Sequence, residues 1–229
     1  MAFARGPKIV RDGLVLALDA GSERSYPGSG TTWKDLVYKG ESTLVNGPTF
    51  NEYYITFDGI DEQAMTVNGD SIWTQSRSST YFSSGASYSC WVYPLSTTSG
   101  YFIGTGAAFR ISFTTLGFRF WDRDINAGTS QEDTGLGSPS INNWYNIVGV
   151  LNPSTQEKLF YINGEVVNTN TSYTRTPSMG TTQMSLGRGY PYGSTYYNCR
   201  ISNTLIYNVA LTAQEVQQNY NATKGRFGL

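Results

Sequence analysis

Three carboxylates lie close together in the stretch "FDGIDEQ", which covers Phe57–Gln63; they are Asp58, Asp61 and Glu62. Such a group could act as general acids and bases, bind a hard cation such as calcium, or accept hydrogen bonds from the amides of a turn. Asp58-Gly59 is a strong turn dipeptide, and residues three apart in a strand point to opposite faces. We therefore favour a turn in which the carboxylates cap N–H groups. A calcium site at Asp58 and Asp61 is the sharper alternative, and catalysis is the least favoured one.

A second set of acids lies in "FRFWDRD", residues 118–124, where Phe118, Phe120, Asp122 and Asp124 alternate with Arg119, Trp121 and Arg123. If the phenylalanines face a core, the two acids lie on that side and the other three residues point outward. An exposed tryptophan between two arginines could stack on a sugar ring. Arg119, Trp121 and Arg123 are therefore candidate carbohydrate-binding residues. The plainer interpretation, which we favour for the strand as a whole, is a solvated edge with alternating charges.

A third candidate is the loop "GRGYPYGSTYYN", residues 187–198, in which four tyrosines and Arg188 are bounded by Gly and Pro. Tyrosine offers a large contact area at low conformational cost, which suits stacking on a glycan or contact with a protein. Arg188, Tyr190 and Tyr192 are therefore further candidates for carbohydrate binding. An ordinary hairpin loop, whose tyrosines cover one end of the fold, explains the pattern equally well.

The chain contains no histidine, and this narrows the chemistry more than any other feature. It removes the Ser-His-Asp and Cys-His routes to an activated nucleophile and the histidine ligands of zinc. Two cysteines cannot make a four-thiolate zinc site. We find no catalytic constellation, so we expect a protein that is not an enzyme and has no cofactor unless calcium binds. The net charge of −1 gives no electrostatic basis for binding nucleic acid or an anionic membrane.

The apolar segments that must position these residues are short and rich in aromatic and β-branched residues, as in "SYSCWVYP", "FRISFTT" and "WYNIVGVLN". Most are bounded by Gly, Pro, Asn or Ser, which is typical of strands joined by turns. The pattern predicts an all-β, antiparallel two-sheet sandwich. We expect a single domain over residues 1–229, with its core at about residues 14–220. In "YINGEVV", the pair Asn163-Gly164 predicts a two-residue hairpin turn.

One helix is predicted near the C-terminal end. Thr212 and Glu215 have the spacing of a capping box, and Leu211 and Val216 have the spacing of a hydrophobic staple. Gly225 is the expected stop.

Cys90 and Cys199 are interpreted as two buried free thiols, although pairing across neighbouring strands stays open. The first twenty residues lack the pattern of a signal peptide, and no apolar run is long enough to span a membrane. We therefore expect no membrane insertion.

The order of several segments resembles the laminin-G-like, concanavalin A-like lectin/glucanase superfamily. The matching segments are "FDGIDE", "YSCWVYP", "NNWYNIVGVLNPSTQEKLFYINGEVV", "MSLGRG" and "RISNTLIYNVALTAQEVQQNY". The resemblance implies a jelly-roll sandwich with one short C-terminal helix. It also makes the Asp58 turn a recurring structural marker of that fold. Laminarinase-type glucanases on this scaffold carry Glu-x-Asp-x-x-Glu on one strand, and no stretch of this chain fits that pattern.

The two ends of the chain, "DGLVLALDAGSERSYPGSGTTWKDL" and "NYNATKGRFGL", resemble lectin-like structural proteins of tailed bacteriophages, marine cyanophages especially. This implies a virion component made in a host cytoplasm, serving in capsid decoration, a tail or a fibre. Its partners would be other virion proteins, further copies of itself, and a glycan of the host surface. A calcium-dependent carbohydrate-binding lectin is the alternative, and a polysaccharide-degrading enzyme is the least favoured.

Overall fold

The computed structural model of the chain describes residues 7–38, 40–66, 81–105, 108–123, 130–134, 139–177, 183–189 and 195–229. All structural statements concern these residues. They form two antiparallel sheets, each with eight described strands.

In each sheet, the spatial order of the strands differs from their order along the chain. Sheet A runs β14 (Glu165–Asn170), β13 (Glu157–Ile162), β12 (Tyr145–Asn152), β7 (Ala86–Pro94), β16 (Asn198–Tyr207), β5 (Tyr54–Asp58) and β4 (Thr49–Asn51), and β1 (Leu14–Asp19) also pairs with β16. Sheet B runs β11 (Ser130–Thr134), β10 (Gly117–Arg123), β9 (Phe109–Thr114), β8 (Gly100–Thr105), β15 (Met184–Leu186), β6 (Gln63–Thr66), β3 (Glu41–Val45) and β2 (Thr32–Lys34). The predicted two-sheet, all-β architecture is confirmed.

The main core lies between the sheets and is rich in aromatic rings. Tyr88 of sheet A stacks on Phe109 of sheet B, with ring centroids 3.7 Å apart. The sheets approach closely at Gly149, where a Cβ would lie 2.5 Å from the Phe120 ring. Because side chains alternate along a strand, one set from each strand points into this layer and the other set lies on an outer face.

The hairpin between β13 and β14 has the geometry that the sequence predicts. Ile162 pairs with Glu165, and the two residues between them have positive φ, 54° at Asn163 and 83° at Gly164. Positive φ at both central residues is the requirement of a type I′ turn. The Asn163 side chain also accepts a hydrogen bond of 2.9 Å from the amide of Asn146.

The predicted helix, α1, spans Ala213–Thr223 and begins with the expected capping box at Thr212 and Glu215. The α-helix ends where the sequence predicts, since Lys224 is its C-cap and Gly225 is the residue that follows. The chain continues as a 3₁₀ turn over Lys224–Phe227 and ends at Gly228, whose φ is +73°. No helix in the described ranges is long and apolar enough to cross a membrane.

The C-terminal end covers part of the outer face of sheet A. The indole N–H of Trp91 donates a 2.8 Å hydrogen bond to Oγ1 of Thr223. The Trp91 ring also stacks on Phe227, with centroids 4.0 Å apart. Trp91 is almost completely buried as a result.

The two cysteines are buried and free, which confirms that interpretation. Cys90 lies opposite Thr204 in the pairing of β7 with β16, whereas Cys199 lies opposite Pro94. Burial raises the pKa of both thiols, so they are inert apolar side chains of the core.

Candidate functional site

The outer face of sheet B is built by the antiparallel meander of β8, β9 and β10. Phenylalanines and isoleucines alternate into the core, so the residues between them face outward. Trp121 of β10 lies opposite Arg110 of β9, and Arg119 lies opposite Ser112. Ser112 in turn lies opposite Tyr101 of β8. The expectation that Arg119 and Trp121 lie on the outward side of their strand therefore holds.

A cavity of about 380 Å³ opens on this face, and we call it the Arg110 cavity. Its lining residues are Ser99, Gly100, Tyr101, Arg110, Ser112, Phe113, Thr114, Trp121 and Thr195. Among the residues that the structure describes, the lining combines aromatic rings, hydroxyl groups and one cation, and it includes no carboxylate. This volume lies in the range of small-ligand sites.

The guanidinium of Arg110 lies between two aromatic rings. Its Cζ is 4.4 Å from the ring centroid of Trp121 and 5.6 Å from that of Tyr101. Its Nε is buried without a hydrogen-bond partner among the described residues. The cavity can therefore offer ring faces to a sugar and hydrogen-bond donors to its oxygens.

The segment that contains Arg188 lies against the same face. A Cβ on Gly189 would be 2.5 Å from the Tyr101 ring, so the backbone touches the cavity wall there. The Arg188 guanidinium donates a 3.2 Å hydrogen bond to Gln63 and lies 5.0 Å from the Tyr196 ring centroid. The structure thus brings two candidate regions, which are distant in the sequence, onto one surface.

The remaining residues that the sequence singles out lie partly or wholly outside the described residues. The backbone of Arg123 ends β10. Tyr190, Tyr192 and Asp124 lie outside the described residues. Their assignment stays a prediction.

The interpretation of residues 118–124 as a solvated edge is wrong, because β10 lies between β9 and β11 and Asp122 is buried. Its side chain is only 3% exposed and makes an ion pair of 2.6 Å with the fully buried Nζ of Lys158. Arg175 contacts the other carboxylate oxygen at 3.2 Å. The sequence predicts correctly that this acid shares the core side with Phe118 and Phe120. The cations that stabilise it come from strand β13 and from residue 175, which no local pattern in β10 reveals.

The acidic turn is a capping structure, as favoured from the sequence. Oδ1 of Asp58 accepts hydrogen bonds from the amides of Ile60, at 2.7 Å, and Asp61, at 3.4 Å. Glu62 accepts one of 2.8 Å from the amide of Asp58. Burial raises the pKa of the Glu62 carboxyl, the bond from Asp58 lowers it, and the charges of Asp58 and Asp61 raise it further.

The described residues contain no group of three or more His, Cys, Asp or Glu side chains that could hold a metal ion. The Asp61 carboxylate has no hydrogen bond or ion pair with the described residues. Calcium at Asp58 and Asp61 stays a prediction.

Arg110 and Tyr101 were not among the residues that the sequence singles out. The stretch "FRISFTT" carries the missing signal, because Arg110 alternates with Phe109 and Ile111 as Arg119 does with Phe118 and Phe120. The pairing of the two strands, however, is needed to place Arg110 beside Trp121.

Residues 66–217 match the family described as the Concanavalin A-like lectin/glucanases superfamily. The match covers more than half of the chain, so the protein belongs to this family. The jelly-roll sandwich expected from the resemblance agrees with it. No curated protein matches the chain at a significant level.

Solved structures with the same fold include binding domains and an enzyme. The binding domain of botulinum neurotoxin DC, in complex with rat synaptotagmin II, aligns with a TM-score of 0.69 at 14% identity, over 92% of this chain and 52% of that one. Trypanosoma rangeli sialidase in complex with sialic acid aligns with a TM-score of 0.69 at 16% identity, over 96% of this chain and 34% of that one. The chain thus spans about half and a third of their lengths, and at these identities the likeness shows the fold alone.

Proposed function

We propose that this chain is a non-enzymatic, carbohydrate-binding module in a structural protein of a phage particle, as a capsid decoration, tail or fibre component. The observation that carries the binding role is the Arg110 cavity, where Trp121, Tyr101 and Arg110 meet beside several hydroxyl groups. Ring faces suit the apolar side of a pyranose, and the hydroxyls and guanidinium suit its oxygens. The glycan would belong to the host surface.

The family and its structural neighbours support a binding role in general terms. One neighbour is a toxin binding domain in complex with rat synaptotagmin II, and another is a sialidase in complex with sialic acid. The virion context rests on the resemblance of the two ends of the chain to phage structural proteins. Other virion proteins would then be the partners in assembly.

The proposal of a non-enzymatic role is supported by the contacts of three acids that the sequence singles out. The whole sequence lacks histidine. Asp122 is neutralised by Lys158 inside the sandwich, and Asp58 and Glu62 accept backbone hydrogen bonds. A glycosidase needs two carboxyl groups facing each other across the scissile bond.

The test is a glycan array with the unmodified protein and with Trp121→Ala. We expect at least roughly tenfold weaker retention for the variant, equivalent to about 1.4 kcal/mol. Val166→Ala is the control, since Val166 is 51% exposed on β14 at the edge of the other sheet and should leave retention unchanged. Unchanged retention by Trp121→Ala, or carboxylate-dependent degradation of a host polysaccharide, would overturn the proposal.

The virion role is tested separately, by mass spectrometry of purified particles and by labelling with an antibody. We expect the chain in the particle at a repeated position. Its absence from particles would remove the virion role while leaving the carbohydrate-binding role to the array.

A further inference from the structure

The outer face of sheet A carries a second arginine that is stacked on aromatic rings. Arg200 lies with its Cζ 4.9 Å from the ring centroid of Tyr54 and 4.7 Å from that of Tyr93. Trp144 contacts both tyrosines, at 5.6 and 5.3 Å between centroids. These four residues form a closed ring of contacts, which we call the Arg200 cluster.

The strand register explains the cluster. Arg200 of β16 lies opposite Tyr93 of β7 on one side and opposite Thr56 of β5 on the other. Its neighbours along the strand, Cys199 and Ile201, point into the core, so Arg200 points outward. The C-terminal end covers Trp91 nearby but leaves the cluster partly exposed.

The Arg200 guanidinium lacks an acceptor within the described part of the chain. Its Nε is buried without a hydrogen-bond partner, and it makes no ion pair there. Tryptophan, tyrosine and arginine are the residues that dominate the binding energy of protein interfaces. A partly exposed set of these three types, around a cation that has no acceptor among the described residues, fits a protein partner that presents an apolar side chain beside a carboxylate.

This chain itself presents such a segment at the acidic turn. Ile60 is 75% exposed at the tip of the turn. The next residue, Asp61, has a carboxylate with no hydrogen bond or ion pair among the described residues. The turn also lies close to the cluster in the fold, because Asp58 pairs with Asn198, two residues before Arg200.

We infer that two copies of this chain associate, with the Ile60-Asp61 tip of each copy on the Arg200 cluster of the other. Ile60 packs against the rings, and Asp61 pairs with Arg200. Because tip and cluster are neighbours at one end of sheet A, a single two-fold axis lets both contacts form at once. A stable interface buries roughly 1,600 Å² in total. These two contacts therefore form only its centre, and the surface around them contributes the remaining area.

The experiment is sedimentation velocity of the full chain over a wide range of concentration. We expect a monomer–dimer equilibrium that higher salt weakens, because the central pair is ionic. Asp61→Asn and Arg200→Gln should each weaken dimerisation by roughly tenfold or more. The double variant should be little weaker than either single one, because both remove the same contact.

The control is Leu116→Ser, which removes an apolar side chain that is 61% exposed in the turn between β9 and β10. It should dimerise like the unmodified protein, whereas Ile60→Ser should not. Asp61 is at the surface, so its variant is not expected to unfold, and melting curves check this for Arg200→Gln. A monomer at every concentration, or a dimer insensitive to Asp61→Asn, would overturn the inference. Retention of a monomer by acidic polysaccharide, abolished by Arg200→Gln, would replace it with a glycan site.

Discussion

The two outer faces of the sandwich use the same unit in different surroundings. On sheet B, Arg110 lies over Trp121 and Tyr101; on sheet A, Arg200 lies over Tyr54 and Tyr93. In both cases Nε is buried and lacks an acceptor among the described residues. Because the arginine and its two rings are alike on both faces, they do not explain why the two faces should bind different ligands.

The neighbours of each arginine make the difference. Arg110 lines a cavity with hydroxyl groups from Ser112 and Thr195 on its walls. The Arg200 cluster is extended instead by further rings, since Phe227 and Tyr53 both contact Trp144. A concave surface with hydroxyls suits a small polar ligand, and a broad aromatic surface suits a protein. The geometry around the cation separates the two proposed functions.

A third cation, Lys158, extends the comparison into the interior. It is fully buried, donates to the Phe120 carbonyl at 3.2 Å and pairs with Asp122. A cation inside the sandwich must have its acceptors within the chain, whereas a cation on an outer face can receive its acceptor from a ligand. Substitution should therefore affect stability in the first case and binding in the second.

The largest expected effect is that of Lys158→Met. It leaves the buried Asp122 without its 2.6 Å partner while Arg175 remains at 3.2 Å, and breaking a buried pair on one side is strongly destabilising. We expect a loss of about 3 kcal/mol in the free energy of unfolding, measured by urea denaturation. Arg110→Gln and Arg200→Gln should each change it by less than about 0.5 kcal/mol, as surface substitutions do.

The control is the double variant Lys158→Met with Asp122→Asn, which removes the uncompensated charge. It should recover part of the loss, because replacing both members of a buried pair is far better tolerated than replacing one. A loss below about 1 kcal/mol for Lys158→Met, or no recovery in the double variant, would contradict the assignment of Lys158 to stability.

The sequence predicted correctly those elements whose hydrogen bonds and backbone angles depend on residues close together in the chain. The Asn163-Gly164 turn and the Thr212–Glu215 capping box depend on residues that are adjacent or three apart. The outward position of Trp121 follows from alternation alone. The end of the α-helix at Gly225 is also a local signal, whereas the 3₁₀ turn that follows, where Phe227 packs on Trp91, was not predicted.

The parts that could not be predicted depend on pairing between distant strands. Asp122 meets Lys158 across the core, 36 residues further along the chain. Arg200 lies over Tyr54 and Tyr93 only because β16 runs between β5 and β7. Without the order of strands in each sheet, a lone arginine on a strand cannot be distinguished from an ordinary solvated charge.

The second largest expected effects are those of Arg110→Gln and Arg200→Gln, which distinguish glycan binding on sheet B from dimerisation on sheet A. Arg110→Gln should weaken glycan retention by roughly tenfold and leave the dimer intact, and Arg200→Gln should do the reverse. The reason is that each arginine contacts its own pair of rings, and the two pairs lie on different sheets. Retention on the glycan array and sedimentation velocity provide the two measurements. If either variant weakened both properties, the faces would not be independent.

The smallest expected effect is that of a substitution in the acidic turn. This turn is also the candidate calcium site, so the same experiment tests calcium binding. Asp58→Ala removes the acceptor of two backbone amides, so we expect a loss of about 1 kcal/mol in the free energy of unfolding. For the unmodified protein, we expect the same melting temperature in calcium and in chelator, because Oδ1 of Asp58 is already occupied by those amides. A melting temperature and a glycan retention that both fall in chelator would instead favour the calcium-dependent lectin, with Asp58 and Asp61 as ligands. In that case Asp58→Ala should abolish the response to calcium, whereas Asp12→Ala, at an exposed acid outside this turn, should keep it.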